Sequence, residues 1–172
     1  MRKGYIQVYT GNGKGKTTAA LGLAFRAAGA GLKVFIGQFV KKKVCSEHRA
    51  LARFADLITV KQYGTGFLSG ESPPEAAVRA AMRGIREVRD LMVKGGHDVI
   101  ILDELSVALH YKLLTLDSVI GIIDAKPPHV ELVITGRYAN DEVIKRADLV
   151  TEMSQIKHYY QANVKARKGI EY

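Results

Sequence analysis

Cysteine is almost missing from this chain, with Cys45 the only one in 172 residues. An intramolecular disulfide is therefore excluded, and a cysteine-built zinc cluster has no basis. Nothing near Cys45 makes a catalytic pair for it, so it reads as a small, inert side chain. Long apolar runs are missing too, and no stretch reaches the roughly 20 residues that a membrane-crossing helix needs. Met1-Arg2-Lys3-Gly4 leads straight into a β-prone segment, leaving no room for a signal peptide. The expected compartment is the cytoplasm, with no membrane partner. There is no internal repeat or linker, and His48, His97, His110, His129 and His158 show no metal-ligand spacing. Acidic residues are in deficit, 17 against 26 Lys and Arg, for a formal net charge of +9. That balance favours an anionic partner. Charge alone does not choose between nucleic acid and a nucleoside triphosphate with an acidic cosubstrate. The length fits one domain, residues 1–172, with a proper core.

What is present is organised around Tyr5 to Thr18, Y-I-Q-V-Y-T-G-N-G-K-G-K-T-T. A short apolar strand, a glycine loop and the start of an alanine-rich helix make a phosphate cradle. Backbone N–H groups converge on the anion, the helix start adds partial positive charge, and Lys16 neutralises phosphate oxygens. Thr17 stands where a hydroxyl ligates phosphate-bound Mg²⁺. Thr10 replaces the first glycine of G-x-x-x-x-G-K-[ST], but the G-K-T core and the flanking elements agree. The deviant loop of partitioning ATPases needs lysine at position 11, where this chain has glycine.

The first helix is predicted from Lys16 to about Ala28, and a second strand from Lys33 to Val40. The carboxyl ends of such strands carry ligand-facing residues, so Lys41-Lys42-Lys43 either bind phosphate or form a solvated loop. Ser46 to Phe54 reads as a short helix and Leu57 to Gln62 as a strand. The glycine-rich loop 63–70 is either a surface turn with Phe67 folded onto the core or a mobile lid offering Phe67 to a flat ligand. Ser72-Pro73-Pro74-Glu75 predicts a capped helix start, with Val78, Met82, Ile85, Val88 and Leu91 as the buried stripe up to about Lys94. The arginines at 79, 83, 86 and 89 suit surface ion pairs with Glu87 and Asp90 better than nucleic acid.

Val99 to Leu102 predicts a central strand, and Asp103-Glu104 at its carboxyl end can reach the metal of the phosphate loop. Helices over 106–111, 115–124 and 141–147 and strands over 130–135 and 149–153 follow. Arg137, just after the fifth strand, is a candidate phosphate or ribose contact, whereas Arg26 reads as solvated on pattern alone. The alternation predicts an α/β fold with a mostly parallel sheet flanked by helices around a P-loop. A P-loop ATPase or kinase, and a nucleotide-gated nucleic-acid-binding module, are the two other function classes these residues permit.

Blocks along nearly the whole chain resemble the corrinoid adenosyltransferases of the CobA/BtuR type. They are G-N-G-K-G-K-T-T-A-A at 11–20, Q-F-V-K at 38–41, G-T-G-F at 64–67, L-D-E-L at 102–105, I-T-G-R at 134–137, A-D-L-V-T-E at 147–152 and the closing V-K-A-R-K-G-I-E-Y. The resemblance implies a RecA-like P-loop NTPase fold, a homodimer, and transfer of the 5′-deoxyadenosyl group of ATP to the Co(I) of a reduced corrinoid. Triphosphate is the leaving group, and no nucleic acid is involved. It implies that Gly11, Asn12, Gly13, Lys14, Gly15, Lys16, Thr17 and Thr18 hold the triphosphate, with Arg26 and Arg137 as further nucleotide contacts. Thr17 and Glu104 become Mg²⁺ ligands supported by Asp103, and Phe67 becomes the aromatic that approaches the corrin. Lys16, Glu104 and Phe67 are thus the expected catalytic set. An electron-donating flavoprotein or reduced flavin is the implied partner. Two positions depart from the pattern: Ser69, where many relatives carry tryptophan, and Lys42, where glycine is frequent.

Overall fold

Six parallel strands in the order β3-β2-β4-β5-β1-β6 form the sheet in this computed structural model, which describes residues 3–66 and 72–172. They are β1 (Ile6–Thr10), β2 (Val34–Gln38), β3 (Ile58–Gln62), β4 (Val99–Asp103), β5 (Glu131–Thr135) and β6 (Leu149–Glu152). The helices are α1 (Lys16–Gly29), α2 (Ser46–Leu51), α3 (Glu75–Lys94), α4 (Leu105–His110), α5 (Leu116–Asp124) and α6 (Asp141–Arg146). All strand pairings are parallel, beyond the mostly parallel sheet expected.

β4 shows why a continuous apolar run becomes a central strand. Ile100 and Leu102 join one core with Val8, Phe35, Leu132 and Ile134. Val99 and Ile101 join the opposite core with Val34, Ile36, Ile58 and Val133. Side chains alternate across a strand, so only a segment apolar at every position can be covered on both faces. Alanines 20, 24, 27 and 28 of α1 lie on the second core, and their small size suits close packing of helix on sheet. The apolar sides of α3 and α5 close the first core. There Gly84 faces the Tyr63 ring, and an added Cβ would stand 2.4 Å from Tyr63 Cγ.

Two local expectations shift. α3 starts at Glu75 with no side-chain cap, because Pro74 stands at ψ 138°, outside the helical region, and leaves Ser72 too far back to cap. The Ser46–Phe54 segment divides into α2 and a 3₁₀ turn over Ala52–Phe54. Phe54 meets Phe25 of α1 edge-on with ring centroids 5.1 Å apart, which ties that turn to α1. On α3, Arg79 pairs with Glu75, but Glu87 pairs with Lys61 of β3 rather than with Arg83. Among the described residues, no helix is long and apolar enough to cross a membrane.

Candidate active site

The carboxyl ends of β1, β2, β4 and β5 meet at one edge of the sheet, and the loop after β1 folds over them. Thr10 is still a strand residue, paired with Glu152, so the turn begins at Gly11 and the consensus glycine one position earlier is not needed. Gly13 donates its N–H to the Met153 carbonyl at 2.6 Å, and a Cβ there would lie 2.6 Å from that same oxygen. The close approach of the loop to the end of β6 therefore demands glycine.

Lys16 opens α1 and curls into the loop, where Nζ donates to the carbonyls of Gly11 (2.6 Å) and Gly13 (2.7 Å). Burial lowers its pKa, Glu104 opposes that shift and Arg137 adds to it. A desolvated ammonium held by neutral carbonyls is poised to accept an anion.

Thr17 Oγ1 donates to Asp103 Oδ1 at 2.8 Å. Asp103 is 1% exposed, and both its oxygens are occupied. Thr135 Oγ1 also donates to Oδ1 (2.8 Å), Gln38 Nε2 donates to Oδ2 (3.1 Å), and Lys41 Nζ lies 3.5 Å from Oδ2. Glu104 follows at φ 61°, a left-handed conformation unusual for a side-chain-bearing residue, and its N–H donates to Thr135 Oγ1 at 3.0 Å. Burial raises the Glu104 pKa and the neighbouring Asp103 charge raises it further, while Lys41, Lys16 and Arg137 pull it down. A cation would relieve both upward effects. The hydroxyl of Thr17 and the two carboxylates are hard oxygen donors, which fits Mg²⁺.

A cleft of about 780 Å³ opens beside this cluster, lined by residues 13–18, Glu104 and Arg137 on the sheet side. That size lies within the roughly 300–1,000 Å³ of small-molecule sites. The C-terminal segment walls it from the other side, with His158 and Gly169 to Tyr172 among the lining residues. Lys14 Nζ is held there by Glu171 Oε1 (2.7 Å), Tyr159 OH (2.8 Å) and the Ile170 carbonyl (3.2 Å). Arg167 joins Glu171, and Ser46 Oγ donates to the Tyr172 carbonyl at 2.9 Å.

Thus Lys14, Lys16, Thr17, Thr18, Glu104 and Arg137 share the cleft, and Asp103 lies directly behind it. Gly11 and Asn12 shape the loop without lining the cleft. Arg26 is exposed on the last turn of α1 and is not brought into the cleft; its charge acts on Tyr9. Phe67 lies outside the described residues. Sequence reasoning missed the roles of Gln38, Lys41 and Glu47. Of the lysine run, only Lys41 turns inward, to Glu47 (3.2 Å) and Asp103. The closing K-G-I-E-Y block was the signal for the C-terminal segment, residues 167–172, that lies as a strap along the cleft.

The parallel sheet, the glycine loop and the carboxylates opposite it define an α/β protein of the P-loop class. The flagellar accessory protein FlaH from Methanocaldococcus jannaschii has the same fold, with a TM-score of 0.61 over 88% of this chain and 72% of that one at 9% identity. More specifically, residues 2–172 match the family described as ATP:corrinoid adenosyltransferase BtuR/CobO/CobP, and the chain belongs to that family. It is 37% identical over 170 residues to the corrinoid adenosyltransferase CobA of Salmonella typhimurium, covering 99% of this chain and 86% of that protein. It is 36% identical over 171 residues to the corrinoid adenosyltransferase of Pseudomonas aeruginosa, covering 99% of this chain and 84% of the relative.

Proposed function

We propose that this enzyme transfers the 5′-deoxyadenosyl group of ATP to the cobalt of a reduced corrinoid and releases triphosphate. The observation that carries the reading is the Thr17–Asp103 hydrogen bond. It joins the phosphate loop to the buried carboxylate in a chain of this family. The lone pair of Co(I) attacks the ribose C5′, the C5′–O bond breaks, and its electron pair leaves with the triphosphate. Co(I) is itself a strong nucleophile, so the protein's work is to align the two centres, exclude water and stabilise the leaving group. The loop from Gly11 to Thr18 holds the triphosphate, Lys16 and Arg137 supply positive charge, and Arg26 remains a candidate nucleotide contact. Thr17 and Glu104 would hold Mg²⁺ with Asp103 behind them, and the ion would neutralise phosphate oxygens. Phe67 is the aromatic assigned to the corrin in this reading. A homodimer and an electron-donating flavoprotein or reduced flavin complete it. A sedimentation mass of one chain would remove the dimer.

The test is an anaerobic assay with ATP, Mg²⁺ and chemically reduced cobalamin, following the corrinoid spectrum and identifying the phosphate product. A light-sensitive adenosylated corrinoid with triphosphate is expected. ADP and phosphate without adenosylation would return the chain to ordinary P-loop hydrolysis. In the same assay Phe67→Ala should impair corrinoid turnover and leave calorimetric ATP binding intact. Equal loss of both would remove Phe67 from the corrin side.

A further inference from the structure

The first turn of α2 and the residue just before it bring Cys45, Glu47 and His48 together, with their potential ligating atoms within 4.8 Å of one another. These groups already have work. Glu47 holds Lys41, and both ring nitrogens of His48 are engaged. The Cys45 N–H donates to Nδ1 at 2.9 Å, and Nε2 lies 2.8 Å from Gln38 Oε1. A backbone N–H can only donate, so Nδ1 is the acceptor and the ring proton sits on Nε2, aimed at the Gln38 oxygen.

We propose that His48 is a positioning residue: through the Gln38 side-chain amide it fixes the orientation of Asp103, and thereby the firmness with which the site holds its divalent cation. The inference rests on the reading that the cleft binds Mg²⁺ with ATP.

A carboxamide has two unlike ends. With its oxygen turned to His48, and also approached by Gln62 Nε2 at 3.3 Å, Gln38 must present its NH₂ to Asp103 Oδ2. The flipped amide would set oxygen against carboxylate and NH₂ against an N–H. Gln38 is 1% exposed, so no solvent can compensate. Strand register supplies the rest, because Gln38 is the direct partner of Asp103 in β4 and of Gln62 in β3. With Oδ1 taken by Thr17 and Thr135, the Gln38 amide supplies the hydrogen bond to Oδ2, beside the Lys41 ammonium 3.5 Å away. Groups that orient a metal site from behind in this way typically change metal affinity about 10- to 100-fold when removed.

His48 does two things, and two substitutions separate them. His48→Asn keeps an acceptor near Nδ1 for the Cys45 N–H but is too short to reach Gln38. His48→Gln places an amide donor near Nε2 and loses the contact to Cys45. The experiment is Mn²⁺ binding to the full chain in the presence of ATP, followed by electron paramagnetic resonance, with thermal melting of each variant alongside. Wild type should bind Mn²⁺ in an ATP-dependent manner, H48N about tenfold more weakly, and H48Q like wild type. Gln38→Met should reproduce the H48N loss, and it carries the test if H48N melts at a much lower temperature. Wild-type affinity in H48N and in Gln38→Met, or equal loss in H48N and H48Q, would overturn the relay. Absence of ATP-dependent Mn²⁺ binding in wild type itself would instead overturn the reading of the cleft on which the relay depends.

Discussion

The Thr135 hydroxyl donates to Asp103 Oδ1 over 2.8 Å, entirely out of contact with solvent. Thr135 Oγ1 in turn accepts the Glu104 N–H, so one side chain of β5 holds the carboxylate pair at the end of β4. Thr135→Val keeps the shape and deletes both bonds, leaving the part-buried Glu104 N–H without its acceptor and Asp103 Oδ1 without one of its two donors. Stability should fall by about 1–3 kcal/mol, and Thr135→Ser should recover most of it. Urea unfolding of the three proteins measures this, and an unchanged midpoint in the valine variant would contradict it.

Lys16→Ala should separate binding from stability. Burial lowers the Lys16 pKa, so the folded state holds this charge at a cost, while only two loop carbonyls receive it. ATP binding should weaken by about 2–5 kcal/mol, the usual loss on truncating one partner of a buried charge pair. The melting temperature should stay level or rise. Calorimetry and a melt on one preparation decide it; a large drop in melting temperature would show that the lysine is needed to build the loop.

Glu171 gathers Lys14, Tyr159 and Arg167 onto one carboxylate, and these partners hold its pKa well below the usual carboxylate range. Glu171→Gln should loosen the strap across the cleft. Limited trypsin digestion should then cut after Arg167 and Lys168 sooner than in wild type, with digestion of the sheet core unchanged. Identical cleavage kinetics would mean that Ser46 and Tyr172 suffice to hold the strap.

His97 should make the fold acid-sensitive. Its ring lies edge-on to Phe35, 5.7 Å between centroids, and Nδ1 is buried with no hydrogen-bond partner among the described residues. Burial lowers its pKa, nearby Lys33 lowers it further, and Asp98 opposes them. Below about pH 6.5, the ordinary histidine value, the unfolded chain takes up a proton that the folded chain resists. Stability is therefore full above that pH and is lost as pH falls toward the depressed folded value. Urea midpoints between pH 7.5 and about 5 should fall in wild type and fall less in His97→Leu. Parallel curves would exclude His97 as the cause.

The phosphate loop, its strand and its helix were legible because their signals lie within a few consecutive residues. So was β4, whose four apolar positions and two terminal carboxylates require no knowledge of neighbours. The Gln38–His48 connection was not legible, because it exists only once β2 and β4 are in register and α2 has folded back over them. Lys41 could not be told from Lys42 and Lys43 for the same reason: which lysine turns inward depends on where Asp103 and Glu47 arrive. Ser72 misled because a capping pattern was read across Pro74, whose extended backbone delays the helix.

The strand order carries a consequence for the birth of the protein. β1, which bears the phosphate loop, pairs with β5 and β6, and both leave the ribosome after β2, β3 and β4. Strands β2, β3 and β4 can associate while β1 still has neither neighbour. Each of these pairings needs a crossover, so the sheet has no local hairpin on which to nucleate. The loop that follows β1 therefore takes its shape only after β6 has been made, when the Met153 carbonyl arrives to meet Gly13. A nascent chain that stops before residue 131 contains every residue of the loop and has no strand to anchor it. ATP can act as a folding ligand only for a chain that already includes β5 and β6.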